Sequence, residues 1–303
     1  MTKRAPCMKK RPPLRAVLVL SLILCLCGAS ASADFLRIDG LSMSDTLADG
    51  QIVLTTMDTY GTVWYCFPWQ SAEEQEQCRR EIVGGDPARF DIVVCHYPRR
   101  GAVSFVKRVV GLPGDTVELR DGFLYVNGER FDEPYINDEY RTGMGAAFAP
   151  TRVPKRGDTV TLRDGVLTAG GEAYGFGFTL LRVTDGSGEW TLRKASDPAG
   201  SGMWLWKDGE RYLLRAGVWY REFPAEGTSA GEPLETVTER YPGEPSGTVT
   251  LIRCAGIPMP DGDYTVAEDC YFLLGDRRNN ANDSRTIGAL ERSRIISQVI
   301  LPQ

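Results

Sequence analysis

Histidine is nearly missing from this chain. His96 is the only one among 303 residues. A site needing two histidines is therefore excluded, and no CxxC or Cys/His spacing marks a zinc site, so no metal or other cofactor is expected. Acidic residues are missing before Asp34, where six basic residues stand, so all 40 acids face the other 29 bases in the remainder. An acidic body argues against binding nucleic acid. A second long apolar run is absent, and helical periodicity is scarce. What remains is 42% hydrophobic and 25% charged, a globular composition with ample length for a core.

The single apolar run is Ala16 to Gly28, extended by the small residues Ala29 to Ala33. The basic flank should stay cytoplasmic while the body crosses. Composition alone leans towards a secretory signal with Ala29-Ser30-Ala31-Ser32-Ala33 as an A-x-A cleavage site. A membrane-spanning helix is the alternative, because run and small residues together reach the lower length limit for a span. In both readings the chain beyond residue 34 lies outside the cytoplasm.

There are eight cysteines. Cys66, Cys78, Cys95, Cys254 and Cys270 follow the apolar run and would meet an oxidising compartment. An odd number leaves at least one unpaired or paired between chains. Proximity favours Cys66 with Cys78. Cys254 with Cys270 is a second pair, and buried free thiols are the alternative to both.

From Ile52 onward the chain reads as strands and turns. The exception is Ser71 to Ile82, which reads as a helix. Phe90 to Cys95 and Gly101 to Gly111 read as strands, the latter β-branched and aromatic. Val117 to Arg130 reads as a hairpin with Asp121-Gly122 at its tip and a further turn at Asn127-Gly128. This unit recurs: Gly114 to Phe131 aligns without gaps to Gly157 to Tyr174, with 11 of 18 residues identical. Two copies are too few for a solenoid. Between about 141 and 248 the composition shifts towards Gly, Pro and Trp, which suggests an inserted β-rich subdomain. Its aromatics Trp204, Trp206, Trp219 and Tyr220 would be core or, less often, a membrane-facing edge. The closing stretch, Arg294 to Leu301, reads as an edge strand.

Three stretches carry candidate chemistry. The first is Asp39-Gly40-Leu41-Ser42-Met43-Ser44-Asp45-Thr46-Leu47, a serine between Gly and Met just beyond the apolar run. Serine is a poor nucleophile until a base takes its proton. The only histidine base would be His96, and nothing in the pattern pairs it with Ser42. Lysine serves if burial lowers its pKa. Lys107 meets that condition, because its same-face strand neighbours are the apolar Phe105 and Val109. Its bland alternative is an edge-strand lysine that discourages aggregation. The third stretch is the polar loop Gly275 to Arg285. There Asp283 would pair with Arg285 or with Arg108 and hold the loop beside the lysine strand. An ordinary solvated loop is its alternative.

Taken together, these segments resemble the type I signal peptidases, membrane-anchored serine/lysine endopeptidases that remove signal peptides from exported proteins. Gly40 to Gly50 (GLSMSDTLADG) resembles the family's G-x-S-M-x-P-T-L-x-x-G. The strand Asp91 to Val94 follows, then Phe105 to Gly128, which resembles the lysine segment. Tyr271 to Gly288 (YFLLGDRRNNANDSRTIG) resembles G-D-N-R-x-x-S-x-D-S-R-x-x-G. The match covers roughly a third of the chain, in the family's order.

The resemblance implies Ser42 as nucleophile and Lys107 as general base. Gly40 and the Ser42 N–H would belong to the oxyanion hole, Arg108, Asp283 and Arg285 to the ion-pair set, and Gly275 and Asp276 to its loop. It implies cleavage after small residues, A-x-A in type, with signal peptides and membrane lipid as partners. It also implies a retained span and a single-pass plasma-membrane location with the catalytic domain outside. The expected fold is mainly β. A basic tail (1–15) and a transmembrane helix (16–33) precede an antiparallel catalytic β domain (34–140 and 249–303), which carries the inserted β-rich subdomain (141–248). Oligomeric state is unassigned.

Three departures stand out. Asp45 replaces a proline and Arg277 an asparagine. Ala281 replaces a serine whose hydroxyl orients the lysine, for which Ser44 or Ser284 would be substitutes. These departures motivate the alternative of a weak or inactive paralogue that binds exported substrates or partners.

Overall fold

The computed structural model describes residues 33–98, 103–143, 146–173, 180–195, 202–208, 210–215, 217–224, 235–239, 247–254, 256 and 258–301. The basic tail and all but the last residue of the expected span lie outside the described residues. Among the described residues no helix is long and apolar enough to cross a membrane.

Antiparallel strands dominate, as the alternating pattern and short turns require. Among the described residues they form four sheets. A seven-stranded sheet runs in the order Ala33–Arg37, Ile52–Thr56, Ile295–Ile300, Ile92–His96, Ser104–Gly111, Cys270–Leu274 and Leu290–Glu291. The lysine strand, Ser104–Gly111, is therefore interior. It pairs with Ile92–His96 on one side and Cys270–Leu274 on the other. That removes the reading of Lys107 as an edge-strand guard. The last strand, Ile295–Ile300, is also interior rather than an edge, because it pairs with both Ile52–Thr56 and Ile92–His96.

The repeated unit forms the same three strands twice. Thr116–Arg120, Phe123–Val126 and Glu129–Arg130 match Thr159–Arg163, Val166–Ala169 and Glu172–Ala173. Each copy has two two-residue turns whose central residues take positive φ. They are Asp121-Gly122 (50° and 82°) and Asn127-Gly128 (54° and 83°), then Asp164-Gly165 (48° and 78°) and Gly170-Gly171 (61° and 87°). Asp, Asn and Gly tolerate that region, and its twist suits a hairpin.

The two copies enter different sheets. The first pairs with Phe148–Arg152 in a four-stranded sheet. The second pairs with Gly262–Val266 and joins an eleven-stranded sheet with Leu180–Asp185, Gly188–Ala195, Gly202–Lys207, Glu210–Arg215, Val218–Pro224, Glu235–Glu239 and Gly247–Arg253. Strand pairing thus crosses both ends of the expected insertion, and Asp34–Gln303 form one contact unit. One apolar cluster joins Val110, Phe272 and Leu274 to Val117, Leu162, Trp190 and Trp219. Trp204 and Trp219 are buried, and Trp206 and Tyr220 pack against the cluster of Trp204, Leu213 and Leu251, so these aromatics are core.

The expected helix over Ser71 to Ile82 is shorter. Only Ala72–Glu76 is helical, opened by a capping box in which Ser71 and Glu74 satisfy each other's backbone N–H groups. The chain then turns into Arg80–Gly84, which pairs with Tyr60–Trp64. Tertiary pairing overrides the local helical preference of the Glu/Gln run.

Candidate active site

Ser42 stands at the start of a tight turn anchored from below. Met43 and Leu47 are both fully buried, one helical turn apart, against Ile38, Val53, Ile92, Val94 and Val299. Leu41 is exposed. The Met43 carbonyl accepts the N–H groups of Thr46 (3.1 Å) and Leu47 (2.8 Å). Burying two apolar residues on one side holds the intervening polar residues on the other. Ser42 is only partly buried.

The lysine strand delivers Lys107 to this turn. Lys107 is 3% exposed, and its Nζ lies 2.8 Å from Ser42 Oγ and 2.8 Å from the Val106 carbonyl, to which it donates. Val93 stands directly across the strand pair from it. Val93, Cys95, Val109 and Phe105 form one apolar cluster around its face. Burial pushes the Lys107 pKa below its ordinary value, opposed by the charges of Cys95, Asp283 and Asp276.

Arg108 points to the opposite face and ties the turn to the polar loop. Its Nε and Nη2 donate to Asp276 at 2.9 and 2.7 Å, and Nη2 also reaches Thr46 Oγ1 at 3.2 Å. Thr46 Oγ1 donates to Asp276 at 2.5 Å. The guanidinium further donates to the Phe90 carbonyl (2.9 Å) and lies 3.7 Å from the Tyr135 ring centroid. A bidentate buried pair of this kind fixes geometry as well as charge. The expected alternative pairing of Arg108 with Asp283 does not occur. Asp283 is taken by Arg285, at 2.8 Å from both Nε and Nη2, and by the Gly275 N–H at 3.0 Å.

The charged core of the polar loop, Asp276, Arg278 and Asp283, is thus buried, while Asn279, Asn280 and Asn282 stay exposed. Gly275 packs so closely that an added Cβ would lie 2.6 Å from the Ser42 carbonyl oxygen and 2.5 Å from the Ala281 Cβ. The Arg277 N–H donates to that same Ser42 carbonyl at 3.1 Å. Among the described residues nothing accepts the Ser42 N–H. Gly40, at φ 100°, has open space around it and gives its N–H to Asp49 at 2.9 Å.

Two contributors escaped the sequence reading. Arg278 is fully buried, donates to the Gly275 carbonyl at 3.0 Å and pairs with buried Glu133. Tyr97 donates to the Asn282 carbonyl at 2.8 Å and stacks on Phe105 with ring centroids 4.0 Å apart. Charge pattern could have flagged Arg278, since a second Arg follows Asp276. Nothing in the sequence links Glu133 to it across 145 positions.

His96 belongs elsewhere. Its Nε2 lies 3.4 Å from Ser104 Oγ, and Trp64 packs edge-on against its ring. Burial, with Arg294 and Arg80 adding to it, pushes its pKa down to about 4. Neither candidate substitute for the missing serine hydroxyl reaches Lys107. Ser284 Oγ accepts the Leu273 N–H at 2.9 Å, and Ser44 Oγ is buried with no hydrogen-bond partner among the described residues.

A family model described as "Signal peptidase, peptidase S26" matches residues 13–162 and 153–303. The chain belongs to this family. Among relatives, signal peptidase I of Bacillus licheniformis is 29% identical over 148 residues, covering 47% of this chain and 67% of that protein. Signal peptidase I of Streptococcus pneumoniae is 36% identical over 103 residues, covering 34% and 37%. Signal peptidase I S of Bacillus subtilis is 50% identical over 52 residues, covering 17% and 27%. The matched stretches thus span between 27% and 67% of these relatives' own lengths. A crystal structure of a signal peptidase I from Enterococcus faecalis superposes with a TM-score of 0.28 at 20% identity, covering 71% of this chain and 98% of that one.

Within the family's motif, Asp45 departs in conformation as well as in charge. Its φ is 87°, the left-handed position of the turn that follows Ser42. Proline holds φ near −65° and cannot take that position. Asp45→Pro, which restores the residue common in the family, is expected to cost about 2 kcal/mol or more in stability and to lower activity. Asp45→Gly is expected to leave the melting temperature unchanged or slightly raised. Thermal melts of the two variants check this. A proline variant as stable as the parent would show that the turn is not held in this conformation.

Proposed function

We propose that this chain is a serine endopeptidase of the signal peptidase I type, with Ser42 as nucleophile and Lys107 as general base. The observation that carries this reading is the 2.8 Å approach of Lys107 Nζ to Ser42 Oγ with the lysine buried. A buried amine favours its neutral form, which has two N–H groups and one lone pair. One N–H is held by the Val106 carbonyl. The lone pair is then directed at the Ser42 hydroxyl.

In the proposed reaction Lys107 takes the Ser42 proton as Oγ attacks the carbonyl carbon of the scissile bond. The oxyanion that forms is met by the Ser42 N–H, where a preorganised donor is worth most. Lys107 then passes the proton to the departing amine, leaving an acyl-enzyme. It next deprotonates a water molecule that hydrolyses the ester and restores the hydroxyl. Arg108, Asp276 and Thr46 keep the turn in place, while Asp283, Arg285 and Arg278 keep the loop against it. Gly40 and Gly275 shape the backbone around Ser42, their own N–H groups being held by Asp49 and Asp283. These are positioning roles, since none of these side chains is in hydrogen-bond contact with Ser42 Oγ.

The substrates in this reading are exported preproteins with small residues at the first and third positions before the cut. The N-terminal apolar run is retained as an anchor, with the body on the extracytoplasmic side. The test is cleavage of a preprotein ending its signal in A-x-A, by the full chain in detergent or lipid. Turnover is expected, and replacing the final Ala of the signal by Phe should abolish it. Absence of turnover together with measurable binding would instead support the binding paralogue that the Asp45 and Ala281 departures suggest.

A further inference from the structure

We infer that Cys66 and Cys78 form an intrachain cross-strand disulfide in the oxidised protein. Tyr60–Trp64 pairs antiparallel with Arg80–Gly84, from Tyr60 opposite Gly84 to Trp64 opposite Arg80. The ladder continues one step beyond, because the Tyr65 N–H donates to the Arg79 carbonyl at 2.9 Å. The next facing pair is Cys66 and Cys78. Since Tyr65 and Arg79 are the hydrogen-bonded pair, Cys66 and Cys78 occupy the non-hydrogen-bonded position. There facing Cα atoms approach to about 4.5 Å and side chains stand closest. That separation lies within the range a disulfide spans without backbone movement.

The two sulfurs are already neighbours. Both residues are half-buried with reduced thiols. The Cys66 thiol is pushed above its ordinary pKa, first by burial and then by the Cys78 sulfur beside it. The other candidate pair has no such geometry. Cys270 stands opposite Glu291 in the sheet, whereas the Cys254 N–H donates to the Trp219 carbonyl.

The bond would close a segment with an unusual surface. Phe67 and Trp69 stack with ring centroids 4.7 Å apart, and Trp69 is 78% exposed. The short helix Ala72–Glu76 follows, and its Glu76 pairs with Arg80 and with buried Arg294. A staple across its base holds this aromatic platform in one orientation by removing alternatives open to the reduced loop. Chemically, the two thiols lose two protons and two electrons as the S–S bond forms. A small disulfide such as oxidised glutathione takes both and departs as two thiols. The inference does not depend on the peptidase reading.

The test uses the full chain, incubated with oxidised glutathione, alkylated and digested. Both cysteines fall in one tryptic peptide, residues 38–79. It is expected to refuse both alkyl groups and to be lighter by two hydrogens. It should also stay joined after cleavage at Glu73, Glu74 or Glu76. Full alkylation at both positions, separate glutathione adducts, or linkage of either cysteine to another partner would overturn the inference. As a second readout, reductant should lower the melting temperature of the oxidised parent by about 5 °C. It should not do so in the Cys66→Ser, Cys78→Ser variant. A shift of the same size in that variant would assign the effect to another pair.

Discussion

Lys107→Ala is expected to lower kcat/KM on a signal-bearing preprotein by on the order of 10⁴-fold, and Ser42→Ala by as much or more. The two act as one unit, so the double variant should be no worse than the weaker single one. Lys107→Arg should not rescue, because a guanidinium stays protonated and has no lone pair to offer. His96→Ala should be tolerated, since that ring is already neutral and engaged with Ser104 and Trp64. A pH profile adds a readout that misfolding alone would not move. Activity needs neutral Lys107, and burial lowers its pKa, so the rate should rise with pH along a limb set by this group. Stability follows the same direction. Between the lowered folded pKa and the ordinary lysine value the unfolded chain binds more protons, so stability rises with pH across that window. Lys107→Met should lose that rise. Equal pH slopes in parent and Met variant, or near-normal cleavage by Lys107→Ala, would remove Lys107 from the mechanism.

Gly275→Ala carries the second largest expected effect. The new methyl would meet the Ser42 carbonyl oxygen at 2.6 Å and the Ala281 Cβ at 2.5 Å. Both are short, rigid parts of the chain rather than flexible side-chain ends, so the turn holding Ser42 must move. A displacement near 1 Å at a nucleophile costs about 100-fold in rate, and kcat should fall by that amount with a much smaller loss in melting temperature. Adding Ala281→Gly relieves one of the two clashes and leaves the Ser42 carbonyl contact in place. Activity should therefore stay low in the double variant. Full recovery would show that Ala281, and not the backbone of the nucleophile, is what Gly275 accommodates.

The two predictions differ in how visible their residues were beforehand. Lys107 was legible because strand periodicity alone puts Phe105 and Val109 on its face. The Asp-Gly and Asn-Gly turns of the repeat were equally plain, since their residue types demand positive φ. The short reach of the Ala72–Glu76 helix was not, because a Glu/Gln-rich run favours helix until a paired strand claims its end. The C-terminal strand looked like an edge for a related reason. A single strand's pattern says which face is buried and nothing of how many neighbours flank it.

By itself, then, the sequence determined the predominance of strands, the turns of the repeat, the apolar neighbours on the face of Lys107, and the motif that joins the chain to its family. Tertiary structure alone decided the partners. Arg108 took Asp276 and Thr46, Arg278 took Glu133, and Ser284 was claimed by the Leu273 N–H. The physical reason is range. Periodicity and turn chemistry act over a few residues, whereas the choice of a buried charge's partner depends on which distant strands are adjacent. That adjacency brings Ser42 to Lys107 across 65 positions and Arg108 to Asp276 across 168.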